Sequence, residues 1–460
     1  MDALSKFLDT ISGFIWGPPL LILLVGTGIF LTFRLAFIQV RLLPYSLRQV
    51  FSRKHDKRAE GDISQFQALM TAMAATVGVG NIVGVATAIT LGGPGAVFWM
   101  WLAGFFGMAT KYGEAILAVK YRTIDVNGQM AGGPMYYLEH GLKARWLGLM
   151  FALFGTFAAF GIGNGTQSKA VADAVNMTFN VPYWVTGLVL MVLGALVILG
   201  GIKSIGRVTA FFVPIMALFY FIAGAIVMVT NFDLVPGAFA TIFKHAFGIE
   251  SVTGGAIGAV IRFGVARGLF SNEAGLGSAP IAAAAARTDM PGRQALISMT
   301  QVLFDTLIIC SITAVTIVMS GAWQDDGVTA GTLTATAFGT FFGGAGQYIV
   351  GIGIIFFATS TIFGWAYYGE KCFQYLFPKK PGLLIYYRLF FVVVIYFGAT
   401  ATLDVVWLFS DVMNGLMAIP NLIGLLGLSG VIVAETRRFR AKIGEEKAAE
   451  KGLAAAEPAE

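Results

Sequence analysis

Apolar runs of about twenty residues, the length that crosses a bilayer's hydrocarbon core as a helix, recur along this chain. No other feature so narrows what it can fold into. Lipid offers no hydrogen bonds, so a spanning segment must satisfy its own backbone, and a helix does so internally. Eleven runs lie near residues 15–37, 66–91, 95–119, 147–169, 182–200, 206–230, 254–286, 294–320, 345–369, 385–401 and 404–434. They are called spans one to eleven below. Composition agrees: 57% of residues are hydrophobic, 12% are charged and mean hydropathy is +0.77, where soluble domains carry about 25% charge. The expectation is an all-α polytopic membrane protein embedded in a lipid bilayer.

The net charge of +6 does not signal nucleic acid, because the basic residues fall in connections between apolar spans. Arg41, Arg48, Arg53, Lys54, Lys57 and Arg58 crowd the first connection, which places it in the cytoplasm. Alternation then puts Lys120/Arg122, Lys203/Arg207, Arg287/Arg293, Lys379/Lys380 and the tail from Arg437 on that same side. The opposite connections are poor in Lys and Arg. The N-terminus is therefore expected outside and the C-terminus inside. Cys310 and Cys372 make no disulfide framework. The start, MDALSKFLDT, lacks a basic n-region and cleavage site, so span one is expected to persist. Residues 131–141 are amphipathic and expected at the inner interface, 329–342 suit a short outer lid helix, and the tail from Arg437 reads as a frayed cytoplasmic helix.

Span seven is not a plain lipid-spanning helix. RFGVARGLFSNEAGLGSAPIAAAAA, Arg262–Ala286, carries Arg267, Ser271, Asn272 and Glu273 at membrane depth and is interrupted by Gly264, Gly268, Gly275, Gly277 and Pro280. Each polar side chain there costs a few kcal/mol. Irregular backbone survives at depth only where protein buries it or a wet cavity borders it. The segment reads as a discontinuous helix at a binding site.

Span two repeats the punctuation. ATVGVGNIVGVATAI, 75–89, then GGPG, matches a small-residue break, an Ala-rich half-helix and a Pro-Gly turn before a long helix; span seven does the same into DMPGR. Five spans follow from each start, and five is odd, so the second unit sits inverted relative to the first. The chain divides into an N-terminal extra helix with its basic loop (1–60), a first five-helix unit (61–230), an inverted second unit (231–434) and a charged tail (435–460). Inverted repeats with a broken first helix suit alternating access in a secondary transporter.

In the break of span two, Gly78 and Gly80 free the backbone from helical geometry. The exposed N–H groups of the second half-helix attract an anion such as a carboxylate. The carbonyls ending the first half suit a hard cation such as Na⁺. Asn81 serves either role. In span nine FFATSTIFGW, 356–365, sets Thr359, Ser360 and Thr361 in a row; two of these hydroxyls are expected to bond their own helix. Thr361 and Trp365 share a face, one lining the site and the other walling it. The candidate substrate site is Thr76, Gly78, Val79, Gly80, Asn81, Gln167, Gly268, Ser271, Asn272, Thr361 and Trp365. Gln167 in span four either reaches the solute or bonds a neighbouring helix.

Lys111 and Glu114, spaced i,i+3, read as a neutralising pair. Asp305 in span eight lacks a local partner, and Arg267 or Lys169 is the candidate. Arg267 and Glu273 flank the span-seven break and read as a gating or structural ion pair. The three histidines, His55, His140 and His245, fall in loops, so no metal site or histidine relay is expected.

NEAGLGSAPIAAAAA in span seven, with TVGVGNIVGVATAI in span two, resembles the alanine/glycine:cation symporters, also called sodium:alanine symporters, over nearly the whole chain. That resemblance implies the leucine-transporter-like fold of the APC superfamily with one extra N-terminal span. It implies Na⁺-driven import of alanine or glycine through a prokaryotic cytoplasmic membrane, by a protein functional as a monomer. VGVGN, 77–81, is similar to the VGLGN of the bacterial leucine transporter and the neurotransmitter:sodium symporters. By that match the Val79 and Gly80 amides hold the solute carboxylate, and the Ala74 and Val77 carbonyls face one Na⁺ with Asn81 nearby. FFATST is similar to FFAGLT, which assigns the Ala358 carbonyl and Thr361 hydroxyl to the same ion. Ile362 stands where a serine ligand is expected, leaving one ligand fewer or Ser360 or Thr359 in its place.

The alternative within transport is a proton-coupled or exchanging carrier of the same fold, disfavoured because no carboxylate or histidine occupies the span-two break. A channel wants rings of like residues from several subunits. An enzyme wants a Ser/His, Asp/Asp or HExxH constellation at depth, and the spans contain none.

Overall fold

The structure, a computed structural model, describes residues 2–52, 59–248, 257–401 and 404–456. Part of the basic first connection, including His55, and the last four residues lie outside the described residues. The fold is almost wholly helical, because most of the chain has no water in which to leave its backbone polar groups. Among the described residues seven helical stretches are long and apolar enough to cross a membrane. They are Leu4–Arg34, Arg145–Phe179, Gly201–Thr230, Pro291–Ser320, Ala345–Leu376, Leu383–Thr400 and Leu408–Gly427. Val83–Gly92 and Tyr183–Ile198 are apolar but shorter.

Span two forms as two pieces, Gln65–Thr76 and Val83–Gly92. Ser64 starts the first piece with a capping box, its hydroxyl accepting from Gln67 N while Gln67 Oε1 accepts from Ser64 N. Span seven likewise breaks between Ile257–Asn272 and Pro280–Ala284. Two further interruptions are i→i+5 turns, Gly161–Gly165 in span four and Leu303–Cys310 in span eight. A helix forms where the short lid was expected, Ala330–Phe342.

Three expectations need correction. The segment after 131 forms the helix Pro134–His140, but Pro134, Met135, Tyr137 and Leu138 are buried rather than spread along an interface. Tyr137 reaches Asn421 by a hydrogen bond, and that contact draws the helix inward. The tail is not frayed over its first turns. Ser429–Ala456 is one helix whose Phe439 and Ile443, four apart on one face, are buried, and Glu446 pairs with Arg293 at 2.6 Å. Two histidines are helical: His140 closes its helix, and His245 lies within Leu234–Phe247.

The start of span two and the end of span seven are laced together. Asp62 N and Ile63 N donate to Ala285 O at 2.9 and 3.2 Å, and Arg287 N donates to Ile63 O at 2.8 Å. Arg122 clasps the seam, its Nη1 donating to Ala284 O at 3.1 Å and Ala286 O at 2.7 Å, and its Nη2 to Glu60 O at 2.9 Å. A small hairpin, Thr123–Ile124 with Met130–Ala131, braces the clasp, since Met130 N donates to Asp62 Oδ2 at 2.8 Å. Asp125 in that hairpin meets Lys371 at 2.7 Å. Burial alone raises the Asp125 carboxyl's pKa, but the Lys371 charge and hydrogen bonds from Lys371, Gln129 and Asn127 outweigh it and hold the group below the usual carboxylate value.

Candidate functional site

Helical geometry in span two stops at Thr76. Gly78 is extended at φ −136°, ψ −153°, and a single tight turn, Val79–Asn81, follows. Asn81 closes it, its Oδ1 accepting from Gly78 N at 2.9 Å. Gly78 is a close approach: a Cβ there would lie 2.6 Å from Thr361 Oγ1 and 3.3 Å from Gln167 Oε1. Val79 and Gly80 are partly exposed although residues 71–78 before them are buried, so this backbone faces open space. Val79 N meets Gln167 Oε1 at a long 3.4 Å. A carboxylate makes shorter and stronger bonds to an amide than a neutral carbonyl does, so an anion would displace this contact. The outer helix is tied to the same break, with Thr334 Oγ1 donating to Ile82 O at 3.2 Å.

Behind the break two hydroxyls of span nine approach two carbonyls of span two. Thr361 Oγ1 lies 3.4 Å from Val77 O, and Ser360 Oγ lies 3.3 Å from Ala74 O. Each hydroxyl has one proton and a shorter bond on which to use it, because both reach Phe357 O, at 3.0 and 2.8 Å. A hydroxyl that donates to Phe357 O turns a lone pair towards the span-two carbonyl to which it can otherwise donate. That donor set of neutral hard oxygens is what an alkali cation takes up. Ala358, the other residue implied by the resemblance, is fully buried on the same helix.

The span-seven break is held by charged groups. Glu273 has φ +56°, Gly275 +91° and Gly277 +86°; for glutamate that region is sparsely populated, and its contacts hold it there. Glu273 Oε1 accepts from Trp365 Nε1 at 2.9 Å, Oε2 accepts from Ser278 Oγ, and its backbone carbonyl accepts from Lys111 Nζ at 3.0 Å. Glu114 Oε1 accepts from Gly275 N and Gly277 N, both at 3.1 Å, and from Asn421 Nδ2 at 2.7 Å. Lys111 stands 3.9 Å from Glu114. The pair read as mutually neutralising therefore does more, each member securing unwound backbone. Glu273 does not pair with Arg267, which sits over the Phe270 ring in a crevice with Asp411.

Asp305 is also not paired with Arg267 or Lys169. Lys169 meets Asp173 at 2.6 Å. Asp305 Oδ1 accepts from Asn81 Nδ2 at 2.7 Å, and its Oδ2 accepts from Ser271 Oγ at 2.9 Å and Thr306 Oγ1 at 2.8 Å. The i→i+5 turn explains the reach. Asp305 and Cys310, five apart, both touch Asn81 and Ser271, whereas in a 3.6-residue helix they point well apart. A carboxylate thus reaches the span-two break from a distant part of the chain, which removes the argument made above against proton coupling.

The predicted residues divide accordingly. Ala74, Val77, Gly78, Val79, Gly80, Asn81, Gln167, Ser271 and Thr361 gather at the break. Thr76 bonds its own helix and Gln301 (3.0 Å). Asn272 caps the unwound turn, its Oδ1 accepting from Ala274 N at 2.9 Å. Gly268 packs on Met100, 3.0 Å from where its Cβ would stand. Trp365 packs on Gly163, where a Cβ would stand 2.2 Å from the Trp365 Cβ, and points to Glu273. Sequence reasoning missed Phe270, whose ring lies 3.7 Å from the Cβ position of Gly80 and stacks edge-on with Trp16 at 6.4 Å. Its only sequence signal was its place just before Ser271 and Asn272.

Comparison with known proteins gives the family and the fold. The model of the sodium:alanine symporter family matches residues 1–452. A protein of Methanococcus maripaludis named sodium/alanine symporter AgcS is 56% identical over 446 residues, covering 95% of this chain and 98% of its own. A Bacillus subtilis protein named probable sodium/glutamine symporter GlnT is 40% identical over 425 residues, 92% of this chain and 88% of its own. The crystal structure of MhsT in complex with L-phenylalanine superposes with a TM-score of 0.54 at 13% identity, over 82% of this chain and 98% of that one; this likeness is one of fold. The chain belongs to the sodium:alanine symporter family. It is a multi-pass membrane transporter and not an enzyme.

Proposed function

We propose that this member of the sodium:alanine symporter family imports small neutral amino acids, alanine and glycine, with Na⁺ by alternating access across the cytoplasmic membrane. Na⁺ binds among Ala74 O, Val77 O, Ala358 O and the Ser360 and Thr361 hydroxyls. The solute carboxylate takes the amides of Val79 and Gly80 in place of Gln167 Oε1. Asn81 joins the two sites through the turn it closes, so filling one favours the other. The pathway runs between two inverted five-helix units, 61–230 and 231–434, in an eleven-span monomer with its N-terminus outside and C-terminus inside.

The observation that carries this reading is the approach of the Thr361 and Ser360 hydroxyls to the Val77 and Ala74 carbonyls, at 3.4 and 3.3 Å. It lies beside half-open amide backbone in the same broken helix. The seam clasped by Arg122 supports a state closed on the cytoplasmic side. Small solutes are expected because Phe270 lies close to Gly80 and Gly78 sits against Thr361 and Gln167.

Asp305 favours a second reading, in which a proton accompanies or replaces Na⁺, because a buried carboxylate touches Asn81 and Ser271. Uptake of labelled alanine into vesicles reconstituted with the purified protein separates the two. Accumulation under a Na⁺ gradient at equal pH supports Na⁺ symport. Accumulation under a pH gradient without Na⁺ supports the second reading, and equal competition by leucine refutes the small-solute assignment.

A further inference from the structure

Spans one, three and seven enclose a groove of about 480 Å³ between their ends nearest Pro18, Trp99 and Gly258. Its walls are apolar except at one rim, where Arg262 stands. Along span one the lining runs from Pro18 to Ile29. Eleven helical rises of about 1.5 Å make that about 16 Å, half of a hydrocarbon core of roughly 30 Å. The groove is therefore as deep as one leaflet. A charged side chain such as Arg262 is most stable near the headgroups, where the helices would leave the hydrocarbon.

Arg262 is exposed, and among the described residues its guanidinium has only the Phe263 ring, at 5.7 Å. Among the described residues no carboxylate is paired with it, although it also borders the crevice that holds Asp9 and Asp411. We propose that the groove is a phospholipid site, one acyl chain lying between span one and the first half of span seven with the lipid phosphate on Arg262. Two facts select this occupant. The surrounding solvent is lipid, so a groove with apolar walls is filled by hydrocarbon. The unpaired guanidinium supplies the complement to a phosphate, as basic rims between membrane helices do for anionic headgroups. Bound there, the lipid ties the N-terminal helix to the half-helix that carries Phe270, Ser271 and Asn272.

The groove offers a clean test, because a Cβ added at Gly26 or at Gly258 would meet nothing within 4 Å among the described residues. Gly26→Phe and Gly258→Phe fill the space from opposite walls without a backbone clash. Purified, delipidated protein is titrated with palmitoyl-oleoyl phosphatidylglycerol and bound lipids are counted by native mass spectrometry. The same chains without a phosphate, as palmitoyl-oleoyl glycerol, serve as comparison. Melting temperature in lipid-free detergent reports folding of each variant.

Wild type is expected to take one phosphatidylglycerol ahead of all others, and each filled variant to lose it while melting at or above wild type. Arg262→Gln is expected to weaken phosphatidylglycerol by about fivefold, the worth of one basic residue at a charged surface, and to leave palmitoyl-oleoyl glycerol unchanged. A folded filling variant that keeps the first lipid overturns the site. Equal binding of the two lipids to wild type overturns the Arg262 anchor. Neither readout depends on transport, so these outcomes are separate from those that test symport.

Discussion

Removing the span-nine hydroxyls one at a time tests the ion site where its geometry is most explicit. Thr361→Val keeps the side chain's shape and deletes only the oxygen that faces Val77 O at 3.4 Å. Ser360→Ala does the same opposite Ala74 O at 3.3 Å. In either variant the lost bond to Phe357 O is a helix back-bond whose acceptor keeps its ordinary helical partner, so folding should change little. A polar partner of a charged group is worth about 1.5–3 kcal/mol. Each variant should therefore raise the Na⁺ concentration for half-maximal alanine uptake by about 10- to 150-fold. Apparent alanine affinity at fixed subsaturating Na⁺ should fall with it, because coupling between ligands is reciprocal. If both oxygens serve one ion, the double variant should depart from additivity by roughly 0.5–3 kcal/mol. Wild-type Na⁺ dependence in both folded variants would show that these oxygens hold no ion.

Three more outcomes are expected. Asn81→Ala removes the acceptor of Gly78 N and a donor to Asp305, and should weaken alanine binding by about 1–3 kcal/mol while reducing its Na⁺ linkage; intact binding of purified protein at several Na⁺ concentrations would make Asn81 a packing residue. Trp365→Phe leaves Glu273 with one donor fewer and should lower the melting temperature, at a cost of about 1–3 kcal/mol, without changing solute preference; a shift towards larger amino acids would return Trp365 to the pocket wall. Arg122→Gln unclasps three carbonyls and should speed thiol labelling of an Ala283→Cys reporter from the cytoplasmic side, whereas unchanged labelling would mean that the seam holds without it.

Both helix breaks were legible because their cause is local: Gly78, Gly275, Gly277 and Pro280 break a helix wherever they stand. The Ala330–Phe342 helix was legible for the same reason, being set by spacing within one segment. What stayed hidden was pairing across distance. Asp305 meets Asn81 from 224 residues away, and only an i→i+5 turn, which leaves little trace in residue spacing, aims it there. The four-residue spacing of Thr361 and Trp365 gave a shared face but not its neighbours. Gly163, two hundred residues earlier, makes room for the indole. The tail's docking was present as Phe439 and Ile443 on one face, but its many charges masked that stripe.

Glu114 bears on how such a chain diversifies. Its carboxylate is a permanent, covalently attached anion for the unwound amides of Gly275 and Gly277, while the amide of Val79 has only a long 3.4 Å contact with Gln167 Oε1. One break is in effect already saturated, and the other is the one proposed above to take cargo. Mutational drift around Glu114 is constrained by three donors that lose their acceptor together. If the proposed site is right, new cargo preferences would arise around the first break, in Gln167, Phe270 and the side chains flanking Val79. Relatives that carry different amino acids would then share the machinery of one half and differ in the lining of the other, a division of labour between inheritance and novelty within a single chain.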